Sequence, residues 1–257
     1  MSNSPEGARQ DGSSAASVVA DDLARQILAE MTPGASLPSE TELAGRYEVS
    51  RLTIRESVKL LEGRGLLEIA KGRRAVVREP DGAAFTDFLT SVLRYDPKGL
   101  FDLMEVRMSL EVQSATLAAK RASRAGTAAI EHALQGMRDA AVQVADGPGE
   151  EQEICFHDHD LAFHEAIALA SGNRVLGYLF EGMAPALREG FTVSRRGHEQ
   201  RGHTVLDTIA SHERILDCIR AGNGRAAGEA MRLHLKDTER DMRAALTQLS
   251  LPQAARP

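Results

Sequence analysis

The chain has no tryptophan, and only seven phenylalanines and three tyrosines in 257 residues. So few aromatics argue against a protein that grips single-stranded nucleic acid by base stacking. Its two cysteines, Cys155 and Cys218, cannot build a disulfide framework and fit small apolar residues in a reducing compartment. No apolar run approaches the roughly twenty residues that span a bilayer. The N-terminus lacks the basic-then-apolar pattern of a signal peptide. The expectation is a cytoplasmic protein with no membrane partner. Strand signals are scarce too, and they disappear after Ala83. What is present is a hydrophobic content of 42%, ample for a core, in a length that suits one large or two ordinary domains.

The richest stretch is Leu37 to Val77, LPSETELAGRYEVSRLTIRESVKLLEGRGLLEIAKGRRAVV. Ser39-x-x-Glu42 reads as a capping box that starts a helix running to about Tyr47. Val49-Ser50 makes a turn, and Ser50 is an N-cap candidate for a second helix. Ile54, Val58 and Leu61 share one stripe of that helix, with Arg55 and Lys59 well away from its middle. Gly63 and Gly65 end it. Leu66–Ile69 and Ala75–Val77 are strand-like, joined by the basic turn Lys71-Gly72-Arg73-Arg74. This is the layout of a winged helix-turn-helix, whose second helix enters the major groove by its N-terminal end.

Charge agrees. Residues 44–78 carry nine Lys/Arg against four Asp/Glu, a net +5 in a chain of net −6, which leaves −11 elsewhere. A basic island in an acidic protein is the footprint of a phosphate-binding face.

PSETELA…VSRLTIRESVKLLEGRGLL resembles the N-terminal domain of the GntR family of bacterial transcription regulators over roughly sixty residues with no gaps. The family's wing often reads Gly-x-Gly; here the second of those positions is Arg74, which adds a charge. The resemblance implies a homodimer reading a palindromic operator in double-stranded DNA. Arg51 and Arg55 would contact base edges or phosphates, with hydrogen bonds from Thr41, Ser50 and Thr53. Lys71, Gly72 and Arg73 would serve the wing.

Residues 1–16 are polar and aperiodic and are expected to be a disordered tail. Val19, Leu23, Ile27 and Leu28 predict a helix under the helix-turn-helix, making residues 17–80 the DNA-binding domain. Glu79-Pro80-Asp81-Gly82 reads as a linker. Beyond it, helix patterns cover about 84–94, 99–122, 126–145, 151–171, 174–193, 203–221 and 224–248. Short links between them predict an antiparallel all-α bundle over residues 81–250, so the fold class is mainly α.

The bundle carries a second group of residues. Asp160 and His164, four apart, share a helix face. His212 and His234 lie about eleven residues either side of the Gly222-Asn223-Gly224 turn. A symmetric hairpin would bring them level, roughly 16 Å from the turn at 1.5 Å per residue. Three imidazoles and a carboxylate suit zinc or nickel, with manganese a further option. Taken singly, each has a plainer explanation: a lone core histidine, or an i,i+4 hydrogen bond for Asp160–His164. On spacing alone both readings stand.

An all-helical domain with D-x-x-x-H, then H-x-x-I-L, then M-x-x-H-L, placed after such a winged helix, resembles the FCD effector domain of the FadR subfamily. The matching Asp and three His form a metal site in many members, so Asp160, His164, His212 and His234 are the implied ligands. Arg107, two residues after Glu105, lies where FCD domains commonly carry an Arg. It would either clamp the carboxylate of an effector or pair with Glu111 on the surface. Arg188 is a second effector candidate. Asn173 caps the following helix most simply, with its amide a candidate pocket group. His157 shares the Asp160–His164 face and is ranked as a neighbour of the ligands or as surface.

The leading expectation is therefore a DNA-binding repressor, not an enzyme, relieved by a small organic or sugar acid bound at the metal site. Two competitors remain. One is a metal-dependent hydrolase, suggested by the His157-Asp158 and His159-Asp160 pairs with Glu165 as base. The other is a regulator that senses the metal ion itself.

Overall fold

Three serines set the helix starts of the N-terminal unit. The computed structural model describes residues 14–70, 73–95, 98–145 and 150–249, and the chain divides into two compact units, Met1–Asp81 and Gly82–Pro257. Ser14 caps α1 (Ala15–Glu30), Ser39 caps α2 (Glu40–Tyr47) and Ser50 caps α3 (Arg51–Gly63). Each hydroxyl accepts from a backbone N–H of the first turn, a group with no partner inside the helix. Ser39 and Glu42 form the full capping box, the Glu42 carboxylate accepting from the Ser39 N–H at 2.7 Å.

The expected tail is shorter than sixteen residues. Ser14 and Ala15 already belong to α1 and its cap, and Ala16 is buried; residues 1–13 lie outside the described residues. Leu28 is also not in the core: it is exposed, while Val19, Leu23 and Ile27 are buried. At 100° per residue Leu28 stands about 180° from Val19. In α3 the buried stripe is Ile54, Ser57 and Leu61. The polar Ser57 is tolerated there because its hydroxyl donates to the Ala16 carbonyl of α1 at 2.9 Å. β1 (Leu67–Glu68) pairs antiparallel with β2 (Val76–Val77), Leu67 facing Val77. Leu37, Leu43, Ile54, Leu61, Leu67 and Val77 close this core against α1.

The second unit is helical throughout its described residues: α4 (Ala83–Tyr95), α5 (Gly99–Arg121), α6 (Arg124–Ala145), α7 (Glu150–Ala170), α8 (Arg174–Gln200), α9 (Val205–Arg220) and α10 (Gly224–Leu249). The long α10 packs against α5, α8 and α9, and α7 packs against α5, α6 and α8. A core of Phe163, Ile167, Ile215, Met231 and Leu235 joins α7, α9 and α10. The α9–α10 hairpin turns at Gly222, whose φ of +69° favours glycine. Asn223 then caps α10, its side chain accepting from the Ala226 N–H at 3.1 Å.

The helix expected over 174–193 runs further: α8 continues to Gln200. Gly197 serves helix packing. A Cβ there would lie 1.6 Å from the Asp241 carbonyl oxygen, so the missing side chain is what lets α8 approach α10. Gly197→Ala is expected to destabilise the bundle by about 1–3 kcal/mol or more, because the clash is with backbone. The check is the urea midpoint; an unchanged midpoint would mean the two helices part without cost.

Candidate functional site

Helical spacing gathers the bundle's polar core. On α7, His157, Asp160 and His164 lie three and four residues apart and face α5, α9 and α10. His212 comes from α9 and His234 from α10, their ring centroids 4.5 Å apart. The His164 ring is 5.2 Å from each of those two. One ring nitrogen from each of the three histidines lies within 4.8 Å of the others. His164 and His212 are buried, at 1% and 0% exposure. The structure thus brings together His164, His212 and His234, and Asp160 adjoins them through His212, its Oδ1 2.9 Å from Nε2 of that ring.

The orientation of the rings follows from their partners. His212 Nδ1 donates to the Thr208 carbonyl at 2.8 Å. That commits its proton, so a neutral His212 turns the lone pair of Nε2 toward Asp160 Oδ1, 2.9 Å away. Two acceptors at that distance need a proton or a metal ion between them. His164 Nδ1 lies against Glu111 Oε2, and its Nε2 is buried with no hydrogen-bond partner among the described residues. A carboxylate behind an imidazole whose far nitrogen is bare is how metal-binding histidines are oriented. The donor set therefore fits a divalent ion of intermediate softness.

Electrostatics agree. Loss of water raises the Asp160 pKa, but the hydrogen bond and charge of His212, with the other two rings of its face, hold it well below the usual carboxylate range. Glu111 would likewise be raised by burial, yet Arg107 and His164 bring it down to about 2. His234 is pushed well below its ordinary value, first by desolvation and then by its two histidine neighbours. Burial takes His157 down to about 4.

Arg107 makes one of its two expected contacts and also reaches the cavity. It does pair with Glu111, Nε to Oε1 at 2.5 Å, but the pair is buried, not on the surface. Arg107 also lines a cavity of about 340 Å³ with His157, Asp160 and His234. Glu111 was not singled out from sequence as a site residue; its only signal was the four-residue spacing from Arg107. At another part of the cavity His198, His203 and Asp241 form a second polar group. There His198 bonds Asp241 and the Thr204 carbonyl, each at 2.9 Å, so both its nitrogens are engaged.

Two effector candidates are not brought to the cavity. Asn173 is exposed and only caps α8, accepting from the Val175 N–H at 3.1 Å. Arg188 projects from α8 and pairs in the open with Asp158 at 2.8 Å. His159 leaves the cluster as well. Its ring sits where a Cβ on Gly136 of α6 would fall, and it lines a different groove with Glu165. The His159-Asp160 pair therefore points two ways and makes no dyad.

In the N-terminal unit, Arg51 and Arg55 project from the first turns of α3 with side chains 63% and 59% exposed. Both reach Glu40 of α2: Arg55 Nε is 2.9 Å from each carboxylate oxygen, and an Arg51 nitrogen is 3.6 Å from one of them. Thr41 is exposed on α2, and Ser50 and Thr53 share a hydroxyl contact of 2.8 Å at the start of α3. Arg73 is exposed beyond β1. Lys71 and Gly72 lie outside the described residues.

Residues 15–77 match the bacterial regulatory proteins of the gntR family, and residues 102–237 match the FCD domain. The HTH-type transcriptional regulator LutR of Bacillus subtilis (strain 168) is 32% identical, over 82% of this chain and 92% of its own length. The galactonate operon transcriptional repressor of Escherichia coli (strain K12) is 32% identical over 81% and 88%. The Glc operon transcriptional activator of the same strain is 29% identical over 88% and 87%. Among solved structures, a GntR protein of Streptococcus agalactiae superposes with a TM-score of 0.62 at 28% identity, covering 88% of this chain and 99% of that one.

Proposed function

Because this chain belongs to the GntR family of bacterial transcription regulators and carries an FCD domain, we propose that its operator binding is controlled by a small organic or sugar acid at a metal centre. It is a regulator rather than an enzyme. Asp160, His164, His212 and His234 hold a zinc or nickel ion. The ion supplies open coordination positions for a carboxylate, and Arg107 meets that carboxylate from α5. The observation that carries this reading is the convergence of three imidazole nitrogens within 4.8 Å of one another, beside a cavity that Arg107 also lines.

The unit that ends at Asp81 is the DNA-reading domain, and the unit from Gly82 onward is the effector and dimerisation domain of a cytoplasmic homodimer on a palindromic site. The acid changes operator affinity only as far as its affinity differs between the DNA-competent and incompetent states. The proposed direction is repression relieved by the acid; one relative is named as a repressor, the galactonate operon transcriptional repressor. Operator titration with and without chelator, and with and without candidate acids, tests this. If metal alone sets the affinity and no acid adds to it, the regulator senses the ion itself.

The reading head has its own test. Arg51→Ala and Arg55→Ala are each expected to weaken operator binding by about 1–3 kcal/mol if they read a base. If they meet phosphate, each lowers the slope of log K against log salt by about 1. Fluorescence anisotropy at two salt concentrations separates the cases. Unchanged affinity and slope in both variants would remove α3 from the interface.

A further inference from the structure

His157 lines the cavity next to the proposed metal centre without belonging to it. It sits on α7 a single turn before Asp160, and its Nδ1 lies 4.0 Å from Asp160 Oδ2. It is 6% exposed. Its ring stacks on Phe191 of α8, centroids 3.8 Å apart and planes 15° from parallel, so its orientation is fixed by packing. Both ring nitrogens are nevertheless without a hydrogen-bond partner among the described residues, although the ring lines the cavity with Arg107, Asp160 and His234. A buried donor and acceptor left unpaired is costly, and such groups in native proteins serve a purpose. His157, like Asp160, is outside the set of three histidines whose nitrogens converge, but it lies 4.0 Å from Asp160, whereas Asp160 itself reaches His212 at 2.9 Å. His157 stands beside the ion's proposed place rather than in it.

We infer that His157 is a specificity-determining residue for the effector, exchanging hydrogen bonds with a hydroxyl carried next to the metal-bound carboxylate. A neutral imidazole offers one donor and one acceptor, the complement of an alcohol. Arg107 and the ion take the acid group. His157 reads the hydroxyl beside it, because a site built to hydrogen-bond a hydroxyl leaves its own buried groups unpaired when the hydroxyl is missing. This assignment rests on the acid-sensing reading above and narrows its ligand class to hydroxy acids.

The test is calorimetric titration of the full-length, zinc-loaded protein with two pairs of acids, racemic lactate against propionate and D-gluconate against hexanoate. The wild type is expected to prefer a hydroxylated member of at least one pair by about tenfold or more. His157→Phe keeps a flat ring for Phe191 and is expected to bind zinc as before, hold the deoxy acid with unchanged affinity, and lose the preference. His157→Gln restores a donor and an acceptor and is expected to recover part of it, which a merely structural role would not do. A His157→Phe protein that keeps the full preference overturns the assignment. So does one that loses its zinc, since His157 would then be a ligand. Should His157→Phe not fold, a His157→Gln protein with no preference overturns it equally. A wild type that binds zinc but none of the four acids overturns the acid-sensing reading and this assignment together.

Discussion

His212→Ala is expected to abolish stoichiometric binding of zinc or nickel and with it the metal-dependent part of the bundle's stability. His212 is fully buried, and Thr208 holds its ring so that Nε2 faces Asp160. Alanine removes a ligand and leaves the Asp160 carboxylate without its chief partner. A folded-state ligand present at a thousand times its Kd stabilises by about 4.1 kcal/mol. At about 2–4 °C per kcal/mol for a domain of this size, chelation should lower the wild-type melting temperature by about 8–16 °C. In His212→Ala chelation should change nothing. Differential scanning calorimetry with and without chelator reads both. Acid should act as a chelator does. The ligand nitrogens must be unprotonated, so lowering the pH weakens the affinity for the ion. An equal chelator shift in wild type and variant would place the ion elsewhere.

Arg107→Ala is expected to have a comparable effect by a different route. The Arg107 and Glu111 side chains are 9% and 3% exposed, and Arg107 is the chief reason that the Glu111 carboxyl titrates at about 2. Truncating one partner of a buried pair costs about 3–5 kcal/mol, because the remaining charge is stranded. The melting temperature should fall by about 6–20 °C. Arg107→Met combined with Glu111→Gln removes both charges and keeps an acceptor for His164 Nδ1. It should recover most of the stability while acid binding stays weakened, since the guanidinium that meets the carboxylate beside the ion is gone. Recovery of both would make the pair purely structural and leave the metal as the acid's sole anchor.

Much of this arrangement was legible in the sequence because helices convert spacing into position. The symmetric distances of His212 and His234 from Gly222-Asn223-Gly224 place their rings at one level, and the rings do meet at 4.5 Å. The Ser39–Glu42 box and Ser50 marked two helix starts because N-capping depends on local chemistry alone. What spacing cannot supply is the identity of the facing helix. Asn173 and Arg188 carry suitable chemistry, but nothing in their own helix tells which neighbour they face, and both turn to solvent. The glycine at 197 is unexplained by its own helix, and only the approach of α10 accounts for it. His157 was on the right face by its seven-residue spacing from His164, but its burial depends on Phe191, thirty-four residues further along the chain.

The central claim is that one divalent ion sits among Asp160, His164, His212 and His234, and X-ray absorption at the metal edge of protein dialysed against zinc or nickel tests it most directly. The account predicts one ion per chain in a shell of nitrogen and oxygen neighbours at about 2.0–2.2 Å, with the multiple-scattering pattern of three imidazoles. Sulfur at about 2.3 Å, or no ion retained after dialysis, would contradict it.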